Sequence, residues 1–143
     1  MTFYFSPDDG NKFLPLQKIA SGGELSRMML CLKFILSNKI VLPCMIMDEI
    51  DTGVSGEVAK KVGKLLEALS KNAQLICISH LPQIAGKGQT HFHVFKQKDS
   101  KGFQQTCIRE LKTVDRINEL AKMLSGDKPS QSAISNAEEL LSN

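Results

Sequence analysis

No stretch of this 143-residue chain is apolar for the roughly 18 residues or more that a membrane-spanning helix needs. Residues 1–10 lack the basic start and apolar run of a signal peptide, so the sequence predicts a cytoplasmic protein that does not enter a membrane. Cysteine is sparse. Cys31, Cys44, Cys77 and Cys107 stand far apart within apolar patterns and form no C-x-x-C pair, which favours reduced, buried core thiols over a metal or disulfide framework. A dense basic tract is also lacking: the net charge is +3 and the lysines are scattered, which neither requires nor excludes nucleic acid. No repeat or low-complexity tract is present, and 42% hydrophobic content is enough for a single domain over residues 1–143.

What the chain does have begins with "ASGGELSRMMLCLK" at residues 20–33. Ser21 and Glu24 stand in the S-x-x-E relation of a capping box, so a helix starts here. Leu25, Met28, Met29, Leu32, Ile35 and Leu36 then recur at three- and four-residue spacing, which predicts an apolar stripe against a core up to about Ser37. Capping does not explain Gly22 and Gly23. Glycines in the first turn bare unpaired N–H groups and let another molecule approach the backbone, as an anion would.

Upstream, Phe3–Phe5 reads as a short strand and residues 6–20 as a connector. Downstream, "CMIMDE" is an unbroken apolar run ending in acids, as expected of a buried parallel strand opened by Pro43. The loop "IDTGVSG" follows, then an amphipathic helix marked by Val58, Val62, Leu65, Leu66 and Leu69, then a second apolar strand in "QLICISH". Together these form a βαβ unit. "THFHVFKQ" and "FQQTCIREL" flank "KDSKG" as an antiparallel hairpin, and two helices, near Asp115–Leu124 and Ser130–Leu141, close the chain.

In a parallel βαβ unit the carboxyl ends of the strands share one sheet edge, outside which ligands bind. Asp48, Glu49, Ser79 and His80 fall there. Adjacent acids can divide labour: Asp48 would hold Mg²⁺, largely through water, and Glu49 would activate a water as general base. His80 could donate to a phosphoryl oxygen or orient that water, and the glycine-serine helix start would bind phosphate. These are parts of a nucleotide hydrolysis site. Arg27 could reach a nucleotide or an interface, or be an ordinary surface arginine; Leu81 and Pro82 shape the turn after His80. His91 and His93 share a strand face without a third ligand, which argues against a metal site.

The segment "ASGGELSR" resembles the signature motif of ABC-type ATPases, "MIMDE" their Walker B strand with its catalytic glutamate, "DTGVSG" their D-loop and "ISH" their switch histidine. With "ISHLPQIAGKGQTHFHVFK" and the tail "NELAKMLSG…NAEELL", the chain resembles the C-terminal part of the RecN family of bacterial DNA repair proteins, relatives of the SMC proteins, from about Phe13 to Leu141.

That resemblance implies an α/β fold: the C-terminal lobe of an ABC/SMC-type ATPase head, with a mostly parallel sheet flanked by helices and an antiparallel hairpin. It implies that Asp48 takes part in Mg²⁺ binding, that Glu49 polarises the attacking water, and that His80 contacts the γ-phosphate. Ser21, Gly22 and Gly23, with Glu24 in the same motif, would act in trans on ATP held by a second head, and Asp51 would lie in the loop that communicates across this homodimer. DNA is an implied partner of the intact protein, in double-strand-break repair, and the location implied is cytoplasmic and nucleoid-associated. A transport ATPase shares the chemistry, but Glu24 and "DTGVSG" argue against it.

The phosphate-cradling loop G-x-x-x-x-G-K-[ST] is missing, because Gly63-Lys64 and Gly86-Lys87 are followed by Leu65 and Gly88. A glutamine loop is not recognisable either. The expectation is a C-terminal part without the N-terminal P-loop half and coiled coil, inactive as an ATPase alone and partnered by that half. The alternative is a non-catalytic docking module.

Overall fold

The computed structural model describes residues 2–6, 12–16, 21–37, 39–40, 42–48 and 50–142. The chain divides into two compact units, Met1–Ser79 and His80–Asn143.

In the first unit, strands β1 (Tyr4–Phe5) and β2 (Leu14–Pro15) pair antiparallel, and helix α1 (Gly22–Ser37) follows. Strand β3 (Cys44–Met47), helix α2 (Gly56–Ser70) and strand β4 (Gln74–Cys77) then form the expected βαβ unit, with Cys44 opposite Gln74 and Met47 opposite Cys77 in parallel register. A bond from the Ile78 N–H to the Met47 carbonyl (2.8 Å) continues the pairing, so the residues after both strands emerge at one edge. Helix α2 is amphipathic as expected and buries Ala59, Val62, Gly63, Leu66 and Leu69, although Val58 is exposed.

The stripe expected to bury α1 is instead its open face. Leu25, Met29 and Leu32 are each 44% exposed, Ile35 and Leu36 more so, and Met28 is half-buried. The inward side carries Gly23, Arg27, Leu30 and Phe34, of which Gly23 and Leu30 are buried. These two rows lie on opposite sides of a helix that is apolar almost all round, so periodicity alone does not select between them. Strand β3 is likewise half-covered rather than buried: Met45 and Met47 face in, while Cys44 and Ile46 face out. Ile76 and Ile78 are also exposed, so the parallel pair and α1 both present uncovered apolar side chains.

The cysteines differ from expectation in burial. All four are free, but Cys31 and Cys44 are exposed and Cys77 and Cys107 half-buried, because they lie on the open faces of α1 and β3 or on strands covered on one side.

The second unit opens with the short helix α3 (Pro82–Ala85), with Leu81 at its N-cap and Pro82 in its first turn. Strands β5 (Phe92–Lys98) and β6 (Gln104–Glu110) form the antiparallel hairpin, with Val94 opposite Ile108. Its turn is closed by Asp99 Oδ1, which accepts from the Lys101 N–H (2.9 Å) and the Phe103 N–H (2.8 Å). Helices α4 (Thr113–Ser125) and α5 (Gln131–Ser142) match the two expected C-terminal helices and enclose Leu120, Ala121, Ala133 and Ala137. Among the described residues the sheets are two-stranded pairs, one parallel and two antiparallel, and no helix is long and apolar enough to cross a membrane.

Candidate functional site

The capping box at the start of α1 is formed. The Ser21 N–H donates to Glu24 Oε2 at 2.8 Å, and the Glu24 N–H donates to Ser21 Oγ at 3.3 Å. The backbone bond from Ser21, then the bond to its hydroxyl, holds the Glu24 carboxyl below the usual glutamate range.

The two glycines that capping did not explain differ from each other. A Cβ on Gly22 would meet nothing within 4 Å, whereas on Gly23 it would lie 2.3 Å from the Thr52 carbonyl oxygen and 3.0 Å from an Arg27 guanidinium nitrogen. Gly23 is therefore required by the chain's own backbone, and Gly22 leaves an open face beside the first unpaired N–H groups of the helix. Arg27 Nη1 donates to the same Thr52 carbonyl at 3.3 Å, so it ties α1 to the loop after β3. Thr52 is the residue sequence reasoning missed. Its carbonyl acts through the backbone, which leaves no signature in side-chain identity.

That loop turns at Gly53, whose φ of 68° suits the third position of a turn closed by the Val54 N–H on the Asp51 carbonyl at 3.1 Å. Asp51, 3% exposed, points into the unit, and Ser79 Oγ donates to its Oδ2 at 2.7 Å. This bond ties the D-loop candidate to the residue just past β4. Asp48 is exposed at the end of β3 and borders a groove lined by Leu25, Met29, Leu30, Lys33 and Ile46. Glu49, expected as the general base, lies outside the described residues. His80 opens the second unit and is exposed.

Among the described residues, no group of three or more His, Cys, Asp or Glu side chains is arranged to hold a metal. His93 Nε2 lies 3.6 Å from Glu119 Oε1. A Mg²⁺ ion held mostly by water and nucleotide phosphates would need only one or two protein carboxylates, and Asp48 is exposed at the strand end where one would be required.

Burial, with Asp51 and Asp48 nearby, pushes the Cys77 thiol up to about 11. The thiolate is the reactive form, so Cys77 should be alkylated by iodoacetamide at pH 8 more slowly than exposed Cys31 and Cys44. Mass-spectrometric timing of each label checks this, and equal rates for Cys77 and Cys31 would contradict the assigned surroundings.

No protein-family model matches the chain. A solved structure from work on ATP-driven dimerization and DNA-stimulated activation of SMC ATPases superposes with a TM-score of 0.55 at 19% identity, covering 81% of this chain and 68% of that one. The likeness is one of fold: this chain shares the α/β fold of that SMC ATPase structure. Along the sequence, the DNA repair protein RecN of Vibrio cholerae is 44% identical over 142 residues, 99% of this chain. The chain resembles the C-terminal part of RecN. RecN of Halalkalibacterium halodurans is 42% identical over 97% of the chain, and RecN of Rickettsia conorii 45% identical over 99%. The chain spans about a quarter of these RecN relatives, 25%, 24% and 26% of their lengths.

Proposed function

We propose that the chain forms the C-terminal part of a RecN-like ATPase head acting in DNA double-strand-break repair, where ATP closes two heads and hydrolysis opens them. The observation that supports this most is 42–45% identity to RecN over nearly the whole chain. In this reading Ser21 and the open backbone at Gly22 receive the phosphate of ATP carried by the partner head. Gly23, Arg27 and Asp51 fix the geometry from behind. Glu49 polarises the attacking water and His80 donates to a phosphoryl oxygen. Asp48 would take part in holding Mg²⁺, which when bound offsets phosphate charge.

The uncovered apolar side chains of α1, β3 and β4 suit docking of a P-loop-bearing half supplied by the rest of the head. Each Leu- or Ile-sized side chain contributes about 1.5–3 kcal/mol when it goes from exposed to fully buried. DNA contact and a cytoplasmic, nucleoid-associated location belong to the intact protein in this reading. If the chain were only a docking module, it would bind that half without supporting ATP-driven pairing.

Light scattering on this chain mixed with the part of Vibrio cholerae RecN that it does not match separates the two. Doubling of the complex mass on adding Mg-ATP is expected; an unchanged mass would favour the docking module.

A further inference from the structure

Helix α3 begins two residues after His80 and is too short to hold its own position by propensity. Its exit is gripped instead by α4. Arg116 Nη1 donates to the Gln89 carbonyl at 3.2 Å, and Nη2 donates to the Gly86 carbonyl at 3.4 Å and to that of Gly88. One planar guanidinium thus gathers the carbonyls of three residues that leave α3, which lysine, a single point charge, cannot reproduce. Helix α5 also comes close to this exit: a Cβ on Gly86 would lie 3.2 Å from the Leu140 carbonyl oxygen, and 3.1 Å from that of Pro82 within α3. Ala85 packs on the buried α4–α5 core as well. Within α3, the N–H groups of Ile84 and Ala85 return to the Leu81 carbonyl at 3.1 and 3.0 Å, so a displacement of the helix exit is carried back to the residue next to His80.

We propose that Arg116 is a positioning residue for His80: by holding the carbonyls at the exit of α3 it sets where the histidine at the other end of that segment stands, and so couples the C-terminal helix pair to it. The consequence for catalysis rests on the phosphate-contacting role proposed for His80. The positional coupling itself does not.

The test is NMR of the 143-residue chain with labelled histidine rings, which needs no nucleotide. Arg116→Ala should move the His80 ring resonance and lower hydrogen-exchange protection at Ile84, Ala85 and Gly86 by about tenfold or more. Protection at Leu120 and Ala121 should stay. Arg116→Lys should give an intermediate displacement, and Gly86→Ala, which presses from the α5 side, should move the same resonance. A His80 resonance that stays fixed while α3 loses protection overturns the proposal, as does one that moves only when α4 and α5 also lose protection in all three variants. Loss of the hydrolytic reading would show separately, as turnover indifferent to His80→Ala in the assembled head.

Discussion

Gly23→Ala should lower the stability of this chain by about 1–3 kcal/mol, the cost of forcing added volume into a packed site. The added carbon would sit 2.3 Å from the Thr52 carbonyl oxygen, and a backbone atom cannot swing aside as a flexible side chain does. Either α1 or the loop from Asp51 to Val54 must shift, and the bond from Arg27 to Thr52 shifts with it. Gly22→Ala is the matched control: with nothing within 4 Å, its methyl group should cost nothing and add about 0.5–1 kcal/mol through helix propensity. Urea midpoints of the two variants measure the difference. Equal destabilisation by both would contradict the separate roles of the glycines. If the partner's nucleotide docks here as proposed, its binding should be more sensitive to Gly22→Ala than to Gly23→Ala, because Gly22 has the open face.

The larger effect is expected on turnover. Glu49→Gln should reduce ATP hydrolysis by the assembled head by a factor of about 10²–10⁴, the range contributed by a positioned general base, while leaving ATP binding in place. The amide keeps the size of the carboxyl but cannot accept the proton from the attacking water. Asp48→Asn should act differently, through weakened Mg²⁺ dependence, because a metal-holding carboxylate loses charge rather than basicity. Single-turnover hydrolysis measured with nucleotide binding separates the two, and a Glu49→Gln head that hydrolyses at the unsubstituted rate would remove Glu49 from the mechanism.

Local chemistry was legible in the sequence where it acts over a few residues. The Ser21–Glu24 box forms as the spacing implied, and the helix it starts ends at Ser37 as expected. The βαβ unit was legible because two short apolar runs flank a helix with a 3.6-residue apolar period, and the hairpin because two strand-like segments flank a short polar turn. The buried side of α1 was not. A helix with Leu, Met, Ile or Phe on nearly every side offers two apolar rows, and only tertiary packing chooses Leu30 over Leu25 and Met29. Gly23 was recognised as unusual but for a different reason, since its neighbour is a carbonyl on a separate loop. The same holds for Arg116, whose partners are backbone oxygens that no side-chain pattern announces.

The uncovered row on α1, with exposed Ile46, Ile76 and Ile78, supports the proposal that this chain works as one part of a catalytic head. Steady-state ATP turnover tests it most directly, measured for this chain alone, for the part of Vibrio cholerae RecN that it does not match, and for the two mixed. No turnover is expected from this chain alone, and the mixture should turn over ATP well above the sum of its parts. Turnover by the isolated chain that Glu49→Gln abolishes, or a mixture no more active than its components, would contradict the proposal.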